Sequence, residues 1–222
     1  GTLPKGNGGT GLTTPGTSGN VLMSDGTDWV SGTIYPVRNR IINGAMVIDQ
    51  RNAGAAVTVD GAATYITDRF IVQDFSDAVL SAQQVSDAPA GFVNSLKVTV
   101  TTADASLSAT QGARVNQRIE GYNIADLGWG TANAKTITLS FWVRSSVTGT
   151  YSGSLSNSAG NRGYVFNYSI STANTWEQKS VTIAGDTTGT WLTTNGVGIR
   201  IYWNLGSGSN FLGTAGSWGS SL

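Results

Sequence analysis

No stretch of this chain carries an apolar pattern over the about 10 to 12 residues that an amphipathic helix needs. Gly, Asn, Asp and Ser interrupt every run first. Between these breaks lie short segments rich in Val, Ile, Thr, Tyr, Phe and Trp, which is strand material. From Asn39 onward the expected strands cover 41–50, 55–59, 69–75, 79–85, 95–101, 113–120, 135–145, 149–155, 163–170, 176–183 and 198–204. So many strands exceed one ordinary sheet and predict two packed layers, a β-sandwich. Residues 124–127 add a single helical turn at most, so the chain is expected to be all-β.

Ahead of Asn39 the texture changes. Residues 1–19 show no apolar periodicity and read as a loop or an extended ribbon. Gly is abundant throughout, 30 of 222 residues, against a usual share of about 7%. Val21-Leu22-Met23 and Asp28-Trp29-Val30 flank Ser24-Asp25-Gly26-Thr27, and Asp-Gly between two apolar triplets predicts a β-hairpin. An isolated hairpin is marginal in water, so Leu22, Trp29 and Ile34 need a partner surface. Further copies around a common axis would supply it, as would the chain's own globular part. The expected organisation is a Gly-rich stalk with a short hairpin over 1–38 and a sandwich over 39–222. The tail GSGSNFLGTAGSWGSSL reads as loop, so the sandwich is expected to continue beyond it.

Composition excludes several functions. Thirteen basic and thirteen acidic residues cancel, which leaves no footprint for nucleic acid or an anionic membrane. No run approaches the about 18 apolar residues of a membrane span. The absence of Cys excludes disulfides and thiolate chemistry, and the absence of His excludes a Ser-His-Asp triad and the commonest zinc ligand. Two carboxylates suffice for a glycosidase, but the only Glu residues are Glu120 and Glu177. Asp25, Asp28, Asp60 and Asp186 sit in turn contexts beside Gly or Thr. No catalytic residue and no metal ligand is therefore assigned. A neutral, hydroxyl-rich surface suits neutral polar partners, glycans foremost, or simply solubility.

Strand parity picks out the recognition candidates. Residues two apart share a face, so Leu139, Phe141 and Val143 point one way and Ser140, Trp142 and Arg144 the other. An aromatic beside a guanidinium can stack a sugar ring and bond its hydroxyls, although burial of Trp142 and ion pairing of Arg144 are equally open. On the 113–120 strand, Val115, Gln117 and Ile119 face in, while Asn116, Arg118 and Glu120 face out. Arg200, Tyr202 and Asn204 oppose Ile199, Ile201 and Trp203, and Tyr164, Phe166 and Tyr168 share a face. Trp129 and Trp218 are flanked by Gly, in expected loops, and are weighted towards ligand contact.

Two phrases carry a resemblance. The lead GNGGTGLTTPGTSGNVLMSDGTDWVSG followed by NRIINGAMVIDQRNAG (39–54) resembles tail-fibre and receptor-binding proteins of tailed bacteriophages. NRIINGAMVIDQRNAG, KTITLSFWVRSS (135–146) and NTWEQKSVTIAGDTTGTW (174–191) are also similar to the first, central and late strands of jelly rolls of the carbohydrate-binding-module type. The resemblance implies a homotrimer in the virion, joined to other tail proteins, that meets bacterial surface polysaccharide without cutting it. It also implies two alternatives, a structural spacer and a polysaccharide depolymerase. Such jelly rolls often hold a structural calcium through an acidic ligand on a final strand, which this sequence lacks.

Overall fold

A computed structural model describes residues 3–14, 16, 18, 20–33 and 38–220. The chain divides into two compact units, Gly1–Asn39 and Arg40–Leu222. In the first, β1 (Asn20–Ser24) pairs antiparallel with β2 (Trp29–Thr33), as the Asp-Gly signal predicts. Asp25 closes the turn: its Oδ1 accepts from the backbone N–H groups of Thr27 and Asp28 at 2.9 and 2.7 Å. Gly26 takes the left-handed conformation there, with φ 96°. Leu22 and Trp29 lie on one face of the hairpin, 49% and 47% exposed. Ile34, the third residue expected on that face, lies outside the described residues.

The second unit is a β-sandwich. Its strands are β3 (Val57–Val59), β4 (Ala63–Tyr65), β5 (Phe70–Asp74), β6 (Val79–Val85), β7 (Ser95–Thr102), β8 (Gly112–Glu120) and β9 (Ile137–Val143). They continue as β10 (Gly149–Ser156), β11 (Gly163–Ile170), β12 (Glu177–Ile183), β13 (Val197–Ser207) and β14 (Trp218–Gly219). One layer is a seven-stranded antiparallel sheet in the order β14-β11-β10-β13-β8-β5-β4. The other layer comes in two pieces, β12-β9 and β3-β6-β7. Each piece covers its own part of the large sheet's inner face. Leu139 and Ile183 pack with Ile119, Leu155, Phe166, Ile199 and Ile201. Val59, Leu80 and Ala82 pack with Val72 and Ala113. Each large aliphatic side chain so buried contributes about 1.5–3 kcal/mol.

Parity explains which residues build this core. Val115, Gln117 and Ile119 of β8 turn inward with Ile199, Ile201 and Trp203 of β13 and with Tyr164, Phe166 and Tyr168 of β11. Gln117 is a polar residue with no exposed surface, and its amide is satisfied at both ends. Oε1 accepts from Ile42 N–H at 3.1 Å and Nε2 donates to Ile42 C=O at 2.9 Å.

The structure corrects three expectations. Residues 41–50 form turns instead of the first strand, because Asn43 and Met46 adopt positive φ (57° and 54°). The Asn43 side chain replaces a strand neighbour by bonding Ile48 N–H, Ile48 C=O and Asp68 C=O at 3.0, 2.8 and 2.9 Å. The tail is not all loop, since β13 runs on to Ser207 and β14 returns to pair with β11. Trp129 is a core residue, 5% exposed, and no loop platform. It meets Trp191 and Trp218 edge-on at 4.8 and 5.2 Å and donates Nε1–H to Lys135 C=O.

Candidate functional site

The outer face of the seven-stranded sheet is polar and uncovered by the second layer. Register places Arg118 of β8 opposite Arg200 of β13, Asn116 opposite Tyr202, and Arg114 opposite Asn204. On the β10 side Ser156 and Ser154 lie opposite Arg200 and Tyr202. On the other side Ile71 of β5 lies opposite Asn116, and Tyr65 of β4 opposite Ile71. With about 4.8 Å between strands, the face from β4 to β10 is about 19 Å wide. Arg118 is exposed, while Asn116, Ser154 and Ser156 are small and buried between longer neighbours.

At one end a groove of 240 Å³ opens between Tyr65, Arg69, Ile71, Arg118, Glu120, Asn195 and Val197. A register shift in β13 between Val197 and Ile199 lets both Val197 and Arg200 face outward although they are three apart. Glu120 is ion-paired to Arg69 and also accepts from Asn123 Nδ2–H at 3.3 Å. Burial acts to raise its pKa, but the bonds from Arg69 and Asn123 prevail and hold it below the ordinary value. It is thus an ionised acceptor, the opposite of the raised carboxyl that a glycosidase uses as its acid.

Tyr202 contributes one ring face only, since the Arg114 guanidinium lies over its ring at 4.4 Å. Arg114 is anchored by Gln73, whose Oε1 accepts from Nε and Nη2 at 3.2 and 3.0 Å. Burial lowers the Arg114 pKa, and the neighbouring Arg200 and Arg118 charges add to that lowering.

Arg118 and Glu120 share one face of β8, as parity implies, and cross-strand register sets Tyr202 of β13 beside them. Trp142 and Arg144 are not with them: Trp142 faces outward from β9, in the opposite layer, and Arg144 follows just past the end of that strand. Trp142 is 37% exposed, and Arg144 pairs with Asp87, whose Oδ1 also accepts from Trp176 Nε1–H at 3.2 Å. Trp218 is half-buried against Tyr164 and donates Nε1–H to Ala184 C=O at 2.8 Å. Sequence reasoning did not single out Tyr65, Arg69 and Arg114 as site residues, and placed Arg200 only on the face of its strand that carries Tyr202. Cross-strand register assembles them, and no local motif marks it. Among the described residues no three acidic side chains gather to hold a metal. No helix among them is long and apolar enough to cross a membrane.

The fold and this face define an all-β sandwich with an open, polar sheet surface. No protein-family model matches the chain, and no curated protein matches it. Among solved structures it is similar to the enzymatically active domain of tailspike protein 4 from bacteriophage CBA120. That match is 15% identical, covers 80% of this chain and 20% of that chain, and has a TM-score of 0.43. The chain thus spans a fifth of the tailspike structure's length. It is also similar to the CBM22-2 xylan-binding domain of Paenibacillus barcinonensis Xyn10C, 15% identical, covering 71% of this chain and 88% of that chain, with a TM-score of 0.38.

Proposed function

We propose that the chain is a segment of a bacteriophage tail fibre that holds bacterial surface polysaccharide on the open face of its seven-stranded sheet, without cutting it. The observation that carries this reading is the face itself, where the Tyr65 and Tyr202 hydroxyls, the Asn195 amide, the Arg69 and Arg118 guanidiniums and the two tyrosine rings are exposed or half-exposed in and beside a 240 Å³ groove. Sugar rings present hydroxyls to the first three kinds of group and an apolar face to the last. Among the described residues Glu120 is the single carboxylate lining the groove, and it is held ionised, which supports binding over hydrolysis. The exposed Leu22 and Trp29 face supports assembly into a trimer, and the phage resemblance of the lead supports a place in the virion.

A glycan array and whole-cell binding test this reading. Arg118→Ala and Tyr202→Ala are expected to lose at least tenfold in affinity, about 1.4 kcal/mol, while the protein stays folded. Loss in a Trp142→Ala, Arg144→Ala variant instead would move the site to the opposite face. A folded wild-type protein that binds no glycan would leave the structural spacer.

A further inference from the structure

We propose that the ligand of the open face is an acidic polysaccharide, its carboxylate, sulfate or phosphate groups seated on Arg118, Arg200 and Arg114. This rests on the glycan-binding reading and names its substrate class. Arg40, Arg69, Arg144 and Arg162 each pair with a carboxylate, that of Asp126, Glu120, Asp87 and Asp186 respectively. Among the described residues no carboxylate pairs with Arg114, Arg118 or Arg200. Yet Arg118 and Arg200 stand directly opposite each other in the ladder, an arrangement in which like charges destabilise a sheet.

The chain has no net charge, so three guanidiniums without a carboxylate partner on one face are not the by-product of a basic surface. Arg200 Nε is buried with no hydrogen-bond partner among the described residues. Its cross-strand neighbour on the other side, Ser156, is neutral. Glu120, the nearest acid on the face, is already held by Arg69 and Asn123. A bound anion would remove the repulsion. The planar guanidinium fork suits carboxylate, sulfate and phosphate oxygens. A nucleic acid would call for a broader basic surface, whereas Ser, Asn and Tyr side chains lie among these arginines.

The test measures binding to uronate-, sulfate- and phosphate-bearing oligosaccharides beside their carboxyl-reduced, desulfated or dephosphorylated counterparts, with a single-stranded oligonucleotide as a charge control. At least one acidic glycan is expected to bind tenfold or more tightly than its neutral counterpart, and the member bound identifies the anion. Arg118→Gln and Arg200→Gln should abolish that preference while thermal stability is kept or rises, because a like-charge pair is relieved. Equal binding of acidic and neutral glycans would overturn the inference and leave glycan binding standing. Oligonucleotide binding as tight as that of the best acidic glycan would overturn it in favour of plain charge. If the folded protein bound no glycan of either kind, both readings would fall.

Discussion

Asp186 shows how much one side chain decides. Only 2% exposed, it accepts from Arg162 Nε at 2.8 Å and Nη2 at 2.7 Å, and from Thr188 N–H and Oγ–H at 3.1 Å each. Burial would raise its pKa, but these bonds outweigh it and hold the carboxyl below the ordinary 3.8. The folded carboxyl therefore takes up its proton at lower pH than the unfolded one. Its stabilisation is present above about pH 4 and fades as the pH falls through the lower, folded pKa. Asp186→Asn, which strands the Arg162 guanidinium, is expected to cost about 3 kcal/mol at pH 7 in urea denaturation. The gap from wild type should narrow below about pH 4, and a gap unchanged down to acid would refute the assignment.

At the scale of elements, one close approach and one set of side-chain hydrogen bonds hold the sandwich. Gly153 of β10 lies where a Cβ would come within 2.2 Å of the Phe166 ring and 2.6 Å of Tyr202 C=O. Gly153→Ala is expected to destabilise the sheet by about 1–3 kcal/mol through overpacking, measured by thermal melting. The 41–54 segment is pinned by side chains: Gln117 bonds both backbone groups of Ile42, and Asn52 Nδ2 donates to Ile66 C=O at 2.6 Å. Gln117→Leu keeps the volume but strands the Ile42 N–H and C=O. It should cost about 1–3 kcal/mol and speed hydrogen exchange at Ile42, and slow exchange there would count against this role.

At the scale of the whole molecule, the two layers have unlike outer surfaces. The seven-stranded sheet presents the arginine and hydroxyl face, whereas β9 and β12 present Trp142 and Gln178 side by side. The Gly1–Asn39 unit adds a surface of another kind, with Leu22 and Trp29 about half exposed on one face of a two-stranded hairpin. If that face joins copies of the chain, sedimentation of the full chain will show a trimer, and Leu22→Ser with Trp29→Ser will yield monomers. A wild-type monomer at micromolar concentration would refute trimerisation through the hairpin.

The all-β class, most strands, and the sidedness of β8, β9, β11 and β13 were legible in the sequence, because a period of two and turn residues are local signals. So were the Asp25-Gly26 hairpin and the placing of Arg118 and Glu120 on one outward face. Three things were decided only in three dimensions. The apolar 41–50 run looked like a strand, but Gln117 and Asp68 satisfied its backbone from afar and Asn43 from within. Trp129 looked exposed between two glycines, but Trp191 and Trp218, distant in the chain, close over it. The alignment of Arg118 with Arg200 depends on the register between strands about eighty residues apart, and no local pattern encodes a register across such a distance.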